Sequence, residues 1–78
     1  MTEFVLCIND GGNHASLIVG KVYRRLPDPH AESHNLVRIV DEDTSEPDGY
    51  LYPTSLFVPI DLPEQAKEAL LATATGEA

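Results

Sequence analysis

Leu36-Val37-Arg38-Ile39-Val40, then Asp41-Glu42-Asp43-Thr44-Ser45-Glu46-Pro47-Asp48-Gly49, then Tyr50-Leu51-Tyr52, reads as strand, connection and strand. Branched aliphatic residues in a run of five favour a pleated backbone, and the polar stretch that follows cannot continue it. The connection carries five carboxylates, which predicts a solvated hairpin tip. Its acidity alone does not make a calcium loop. That loop needs Gly at its sixth place and Glu at its twelfth, and counting from Asp41 those places hold Glu46 and Tyr52.

Working outward, the downstream residues Pro53-Thr54-Ser55-Leu56 suit a single 3₁₀ turn. Phe57-Val58-Pro59-Ile60 makes a last strand, and Pro59 places it at a sheet edge. Upstream, Lys21 to Leu26 reads as a strand stopped by Pro27-Asp28-Pro29. Period-2 alternation sets Val22, Arg24 and Leu26 against Tyr23 and Arg25. Each face then holds an arginine, so a bulge or an aliphatic arginine stem against the core is expected. His30 to Asn35 has room for one helical turn at most.

Glu3 to Ile8 is an apolar run ended by Asn9-Asp10-Gly11-Gly12-Asn13, which predicts a first strand and a long loop. Leu17-Ile18-Val19 and a bend at Gly20 lead into the second strand. After Ile60 the character changes. Asp61 and Pro63 are helix-start residues, and Gln65 to Thr73 are mostly helix formers. Ala66, Ala69, Leu70 and Thr73 share one stripe, so a short helix is expected to lie on the sheet. Past Thr73, Gly76 and small residues predict fraying. The domain division is 1–62 for the β-barrel and 63–78 for the C-terminal helix and frayed tail.

Five short strands in this order, with a long first loop and one turn before the last, resemble the SH3-like barrel. Leu17-Ile18-Val19-Gly20-Lys21-Val22-Tyr23 resembles the stretch that enters the second SH3 strand. Gly49-Tyr50-Leu51-Tyr52-Pro53-Thr54-Ser55-Leu56-Phe57-Val58 resembles the run that ends such domains. Phe4 to Ile60 as a whole also resembles a group of small uncharacterised bacterial proteins. The fold class expected is therefore mainly β, a small five-stranded SH3-like barrel with a short C-terminal helix. The resemblance does not extend to proline-rich peptide binding. The chain has no tryptophan, and no aromatic residue lies in Asn9 to Asn13, so most of the ridges that grip a polyproline helix are missing.

Composition narrows the function. The chain has 78 residues, a net charge of −8 and one cysteine. Five basic residues against thirteen acidic ones repel phosphate at long range, which argues against nucleic acid. No apolar run approaches the roughly 20 residues that span a bilayer, and a lone thiol without a secretion signal fits the cytoplasm. Cys7, between Leu6 and Ile8, reads as a buried small residue.

No catalytic residues are assigned: His14 and Ser16 with an aspartate have no spacing that makes a triad. No cofactor is expected. His30 and His34, at i and i+4, are the weak metal candidates, needing a third ligand from His14, Cys7 or a carboxylate. The partner-binding candidates are Tyr23, Arg24, Arg25, Arg38, Tyr50, Tyr52 and Phe57, because Tyr and Arg are enriched at binding hot spots. The function expected is a non-enzymatic interaction or accessory module that binds another protein, with homodimerisation through open strand edges as one form of it. A metal- or small-ligand-binding regulator using the His30/His34 loop is the alternative.

Overall fold

In a computed structural model describing residues 3–43 and 45–74, the chain forms five strands and two helices. In order these are β1 (Glu3–Cys7), β2 (Val22–Leu26), α1 (Pro29–Glu32), β3 (Leu36–Val40), β4 (Tyr50–Pro53), a 3₁₀ turn (Thr54–Leu56), β5 (Phe57–Pro59) and α2 (Glu64–Ala74). All strand pairings are antiparallel, in the order β4-β3-β2-β1-β5. The sheet curls into a half-barrel, an arrangement consistent with the SH3-like fold. Pro59 lies on an edge strand, as its missing amide hydrogen requires. The fray expected beyond Thr73 concerns residues 75–78, which lie outside the described residues; Thr73 and Ala74 belong to α2.

Register decides which side chains meet. Directly paired residues of antiparallel strands share a face, so Val5 stands with Tyr23, Val37 with Tyr52, and Cys7 with Phe57. These residues, with Leu17, Ile39 and Leu56, are the core. Ile39 is completely buried, at the position where β3 contacts both β2 and β4. The buried face of β2 is thus the one carrying Tyr23 and Arg25. No bulge is needed, because Arg25 lies at the rim with ion pairs to Glu3 and Glu32.

The opposite face carries Phe4 beside Arg24 and Val40. Phe4 is nevertheless buried. Leu70 of α2 shares a cleft with Phe4, Val22 and Val40, which places part of the helix stripe against this outer face as its amphipathic pattern anticipates.

Helix α1 is the single turn that fits between the prolines and Leu36. Pro29 occupies its first turn, and Asp28 caps it by accepting from the Ala31 amide at 3.1 Å. The same Asp28 takes Arg38 of β3 at 2.8 Å, tying the turn to the sheet.

Candidate functional site

The acidic residues after β3 are structural before they are anything else. Tyr52 donates its hydroxyl to Asp41 Oδ2, Tyr23 donates to Glu42 Oε2 at 2.6 Å, and Tyr50 donates to Asp43 Oδ2 at 3.0 Å. All three tyrosines of the chain thus meet three consecutive carboxylates. Asp41, at 5% exposure, is itself buried, so the acidic run is not only the solvated tip expected from sequence. Its other oxygen accepts from the Asp43 amide at 2.9 Å, which meets the requirement that a buried carboxylate be hydrogen-bonded.

The same contacts shift the phenols. Tyr23 and Tyr52 are raised above the ordinary tyrosine range first by burial and then by the carboxylates they face. Tyr50 is raised first by its hydrogen bond to Asp43. Ionising any of them would set a phenolate beside a carboxylate.

Glu42 anchors a second group. Burial pushes its carboxyl up, and the hydrogen bonds from Lys21 and Tyr23 outweigh that and hold it low. Lys21 Nζ is 2.6 Å from Glu42 Oε2. The Tyr23 hydroxyl also accepts from the Ile18 amide at 2.8 Å. Ile18 to Lys21 forms a β-turn, with the Lys21 amide on the Ile18 carbonyl at 3.2 Å and Gly20 at φ 89°, the left-handed value that a type II turn requires of its third residue. The Gly20 amide donates to the Cys7 carbonyl at 2.7 Å, which brings the turn alongside Ile8.

This turn presents Ile18 and Val19, and Ile8 follows β1 beside it, each 49–55% exposed. Sequence reasoning did not single these residues out. The available signal was Gly20: an aliphatic residue one place before a positive-φ glycine occupies a turn corner and points outward.

The expected aromatic and arginine face does not exist as one surface. Tyr23, Tyr52 and Phe57 are only 4%, 7% and 7% exposed and fill the core, because alternation directs Leu51 outward instead. Tyr50 remains exposed at the rim. Arg25 is held by Glu3 and Glu32, and Arg38 by Asp28. Arg24 stands apart, on the outer face.

The cleft below Arg24 has a volume of about 250 Å³. Phe4, Val22, Val40, Pro47 and Leu70 supply its apolar walls, and Lys21, Asp41 and Glu42 reach its border. A second depression, of about 200 Å³, is bounded by Ser16, Asp41, Asp43, Tyr50 and Tyr52.

The imidazoles of His30 and His34 do approach, with ring centroids 4.9 Å apart. Nδ1 of His34 is engaged with the His30 carbonyl at 3.0 Å and Ser33 Oγ at 3.1 Å. His14 is instead paired with Asp10 at 2.6 Å, and Cys7 is buried with its thiol raised by desolvation. No group of three His, Cys, Asp or Glu side chains converges to hold a metal among the described residues.

Carboxylates elsewhere are also held below their ordinary range. In Asp10 the first cause is the Gly12 amide, in Asp28 the Ala31 amide followed by Arg38, in Glu32 the Asp28 amide followed by Arg25, and in Asp43 the hydroxyl of Ser45 followed by Tyr50. A carboxyl whose folded pKa is depressed contributes stability above its unfolded value and loses it as pH falls through the folded value. The melting temperature is therefore expected to fall below about pH 4, although protonation also relieves the net charge of −8. Thermal melts across pH 3 to 7 check the sign; a melting temperature that climbs on acidification would show self-repulsion to be the larger effect.

No protein-family model, curated protein or solved structure matches the chain. No helix among the described residues is long and apolar enough to cross a membrane.

Proposed function

We propose that this chain is a small cytoplasmic interaction domain of SH3-like type, non-enzymatic, whose protein partner docks on the apolar turn bearing Ile18 and Val19, with Ile8 beside it. The observation that carries this reading is that Ile18 and Val19 stand half exposed on a turn held at both ends, with half-exposed Ile8 following the strand to which the turn is bonded. A contiguous exposed apolar patch on a small domain marks a contact surface more often than an isolated residue does. Preorganisation adds to it. The Tyr23 hydroxyl, Glu42 and Lys21 fix the turn before any partner arrives, which reduces the ordering cost of association.

Likeness in strand order and in the Gly49 to Val58 run supports the SH3-like part of the reading, and the missing aromatic ridges separate it from polyproline recognition. The aromatic residues act here as internal supports, and the contact is aliphatic.

Ile18→Asp and Val19→Asp test it. Both lie outside the core, so stability should change by about 0.5 kcal/mol or less and the melting temperature by about 4 °C at most. Affinity capture from source-cell extract, with wild type and variants side by side, should show partners retained by wild type and reduced at least tenfold by either variant. Identical captured proteins for wild type and Val19→Asp would overturn the assignment, as would no specific capture by wild type. A wild-type dimer in sedimentation that Val19→Asp dissociates would identify the partner as a second copy.

A further inference from the structure

We propose that the cleft between the outer face of the sheet and α2 is a binding site for a small monocarboxylate with a compact apolar body, its carboxylate facing Arg24. This site shares Lys21, Tyr23 and Glu42 with the bracing of the apolar turn but does not use the turn's exposed side chains.

The argument begins with the charges. Lys21, Arg25 and Arg38 each have a carboxylate within ion-pair distance. Arg24 has none among the described residues, although acidic residues outnumber basic ones thirteen to five in the chain. Its Nε is buried and has no hydrogen-bond partner. A half-buried guanidinium loses hydration, and leaving it unpaired is costly. A planar, permanently charged fork of this kind matches a carboxylate better than any other common anion of its size.

Two carboxylates border the cleft, and both are already committed. Glu42 is neutralised by Lys21 and accepts from Tyr23. Asp41, buried, accepts from the Tyr52 hydroxyl and from the Asp43 amide. Among the described residues Arg24 and Lys67 are therefore the basic side chains with no carboxylate in ion-pair distance, and of the two only Arg24 lines the cleft.

The walls set the rest of the ligand. Phe4, Val22, Val40 and Leu70 offer an apolar surface beneath and beside the arginine. A cavity of about 150 Å³ holds one benzene ring, so about 250 Å³ takes a ring or short alkyl chain plus a carboxylate. It falls short of the roughly 300–1,000 Å³ of larger ligand sites. That size favours a free small acid over a peptide segment.

Titration of the isotope-labelled full chain by amide-resolved NMR tests the proposal, with benzoate and hexanoate as probes. Both acids should shift the amides of Phe4, Arg24, Val40 and Leu70. Benzamide, equal in shape but uncharged, should bind at least tenfold more weakly, and benzylamine should not enter. Arg24→Gln should weaken benzoate at least tenfold, whereas Arg38→Gln, which removes a paired arginine on the same face, should leave it within twofold.

If Arg24→Gln fails to fold, Arg24→Lys takes its place and should retain weakened binding, and the acid–amide comparison stands on wild type alone. Equal affinity for benzoate and benzamide, tighter binding of benzylamine, or no response to millimolar benzoate would each overturn the site. Loss of turn-dependent partner capture would leave this outcome untouched, because none of these readouts involves Ile8, Ile18 or Val19.

Discussion

Gly49→Ala is expected to remove most of the stability of the fold at room temperature. Gly49 has φ +70°, and a Cβ built there would lie 2.3 Å from the carbonyl oxygen of Ile39 and 2.7 Å from its carbonyl carbon. Both atoms are backbone, so no side-chain rotation relieves the overlap. The contact arises because the acidic connection returns to the sheet directly over β3, and Tyr50 must then pair with Ile39. Moving the loop away would open the ladder at the most completely buried residue of the core. Left-handed strain alone costs about 1–2 kcal/mol; adding a backbone overlap brings the expected loss to about 3 kcal/mol or more. A single core of this size supplies roughly 3–5 kcal/mol in total.

The control is Gly12→Ala. Gly12 also has positive φ, at +88°, but nothing lies within 4 Å of its added Cβ. Urea denaturation of both variants separates strain from overlap. Gly49→Ala falling within about 1 kcal/mol of Gly12→Ala would mean that the loop yields readily, and that its packing on β3 contributes little.

Raising the pH should produce the second large effect. Free tyrosine ionises at about pH 10, and all three phenols here are raised above that value. A group whose folded pKa exceeds its unfolded pKa contributes stability that is fully present below the unfolded value and is lost as pH rises through the folded one. The fold should therefore hold to about pH 10 and then fail over the next units of pH. Tyr50, exposed and raised mainly by Asp43, should ionise first. Tyr23 and Tyr52 should ionise only as the core opens.

Tyrosinate absorbance and circular dichroism recorded on one sample check this. About one third of the absorbance change should precede the loss of structure, and two thirds should accompany it. Three phenols ionising near pH 10 in an intact fold would show the contacts with Asp41, Glu42 and Asp43 to be too weak to matter. Tyr52→Phe should cost about 1.5–3 kcal/mol, since it removes a donor from a buried carboxylate.

Much of this architecture was legible from residue order. Leu36 to Val40 announces a strand because three β-branched residues fall in a run of five between polar breaks, and β3 spans those same residues. The 3₁₀ turn after Pro53, the edge position of Pro59 and the helix after Pro63 follow from constraints carried by single residues. Local rules suffice where the cause is local. The candidate surfaces were not legible in the same way. A period-2 pattern states that Tyr50 and Tyr52 share a face, but not whether that face is inside, and Tyr52 proved to be core while Tyr50 stayed at the rim.

By itself, then, the sequence determined the strands, their breaks, the lone buried thiol and the acidic balance, because each depends on a residue and its near neighbours. Tertiary structure alone decided that three consecutive carboxylates would meet three tyrosines from β2 and β4, that the turn bearing Ile18 and Val19 would be tied to the end of β1, and that Arg24 would have no counter-ion among the described residues. Those outcomes depend on strand register. Register is a property of pairs of strands, and shifting it by one residue would exchange every inside for an outside.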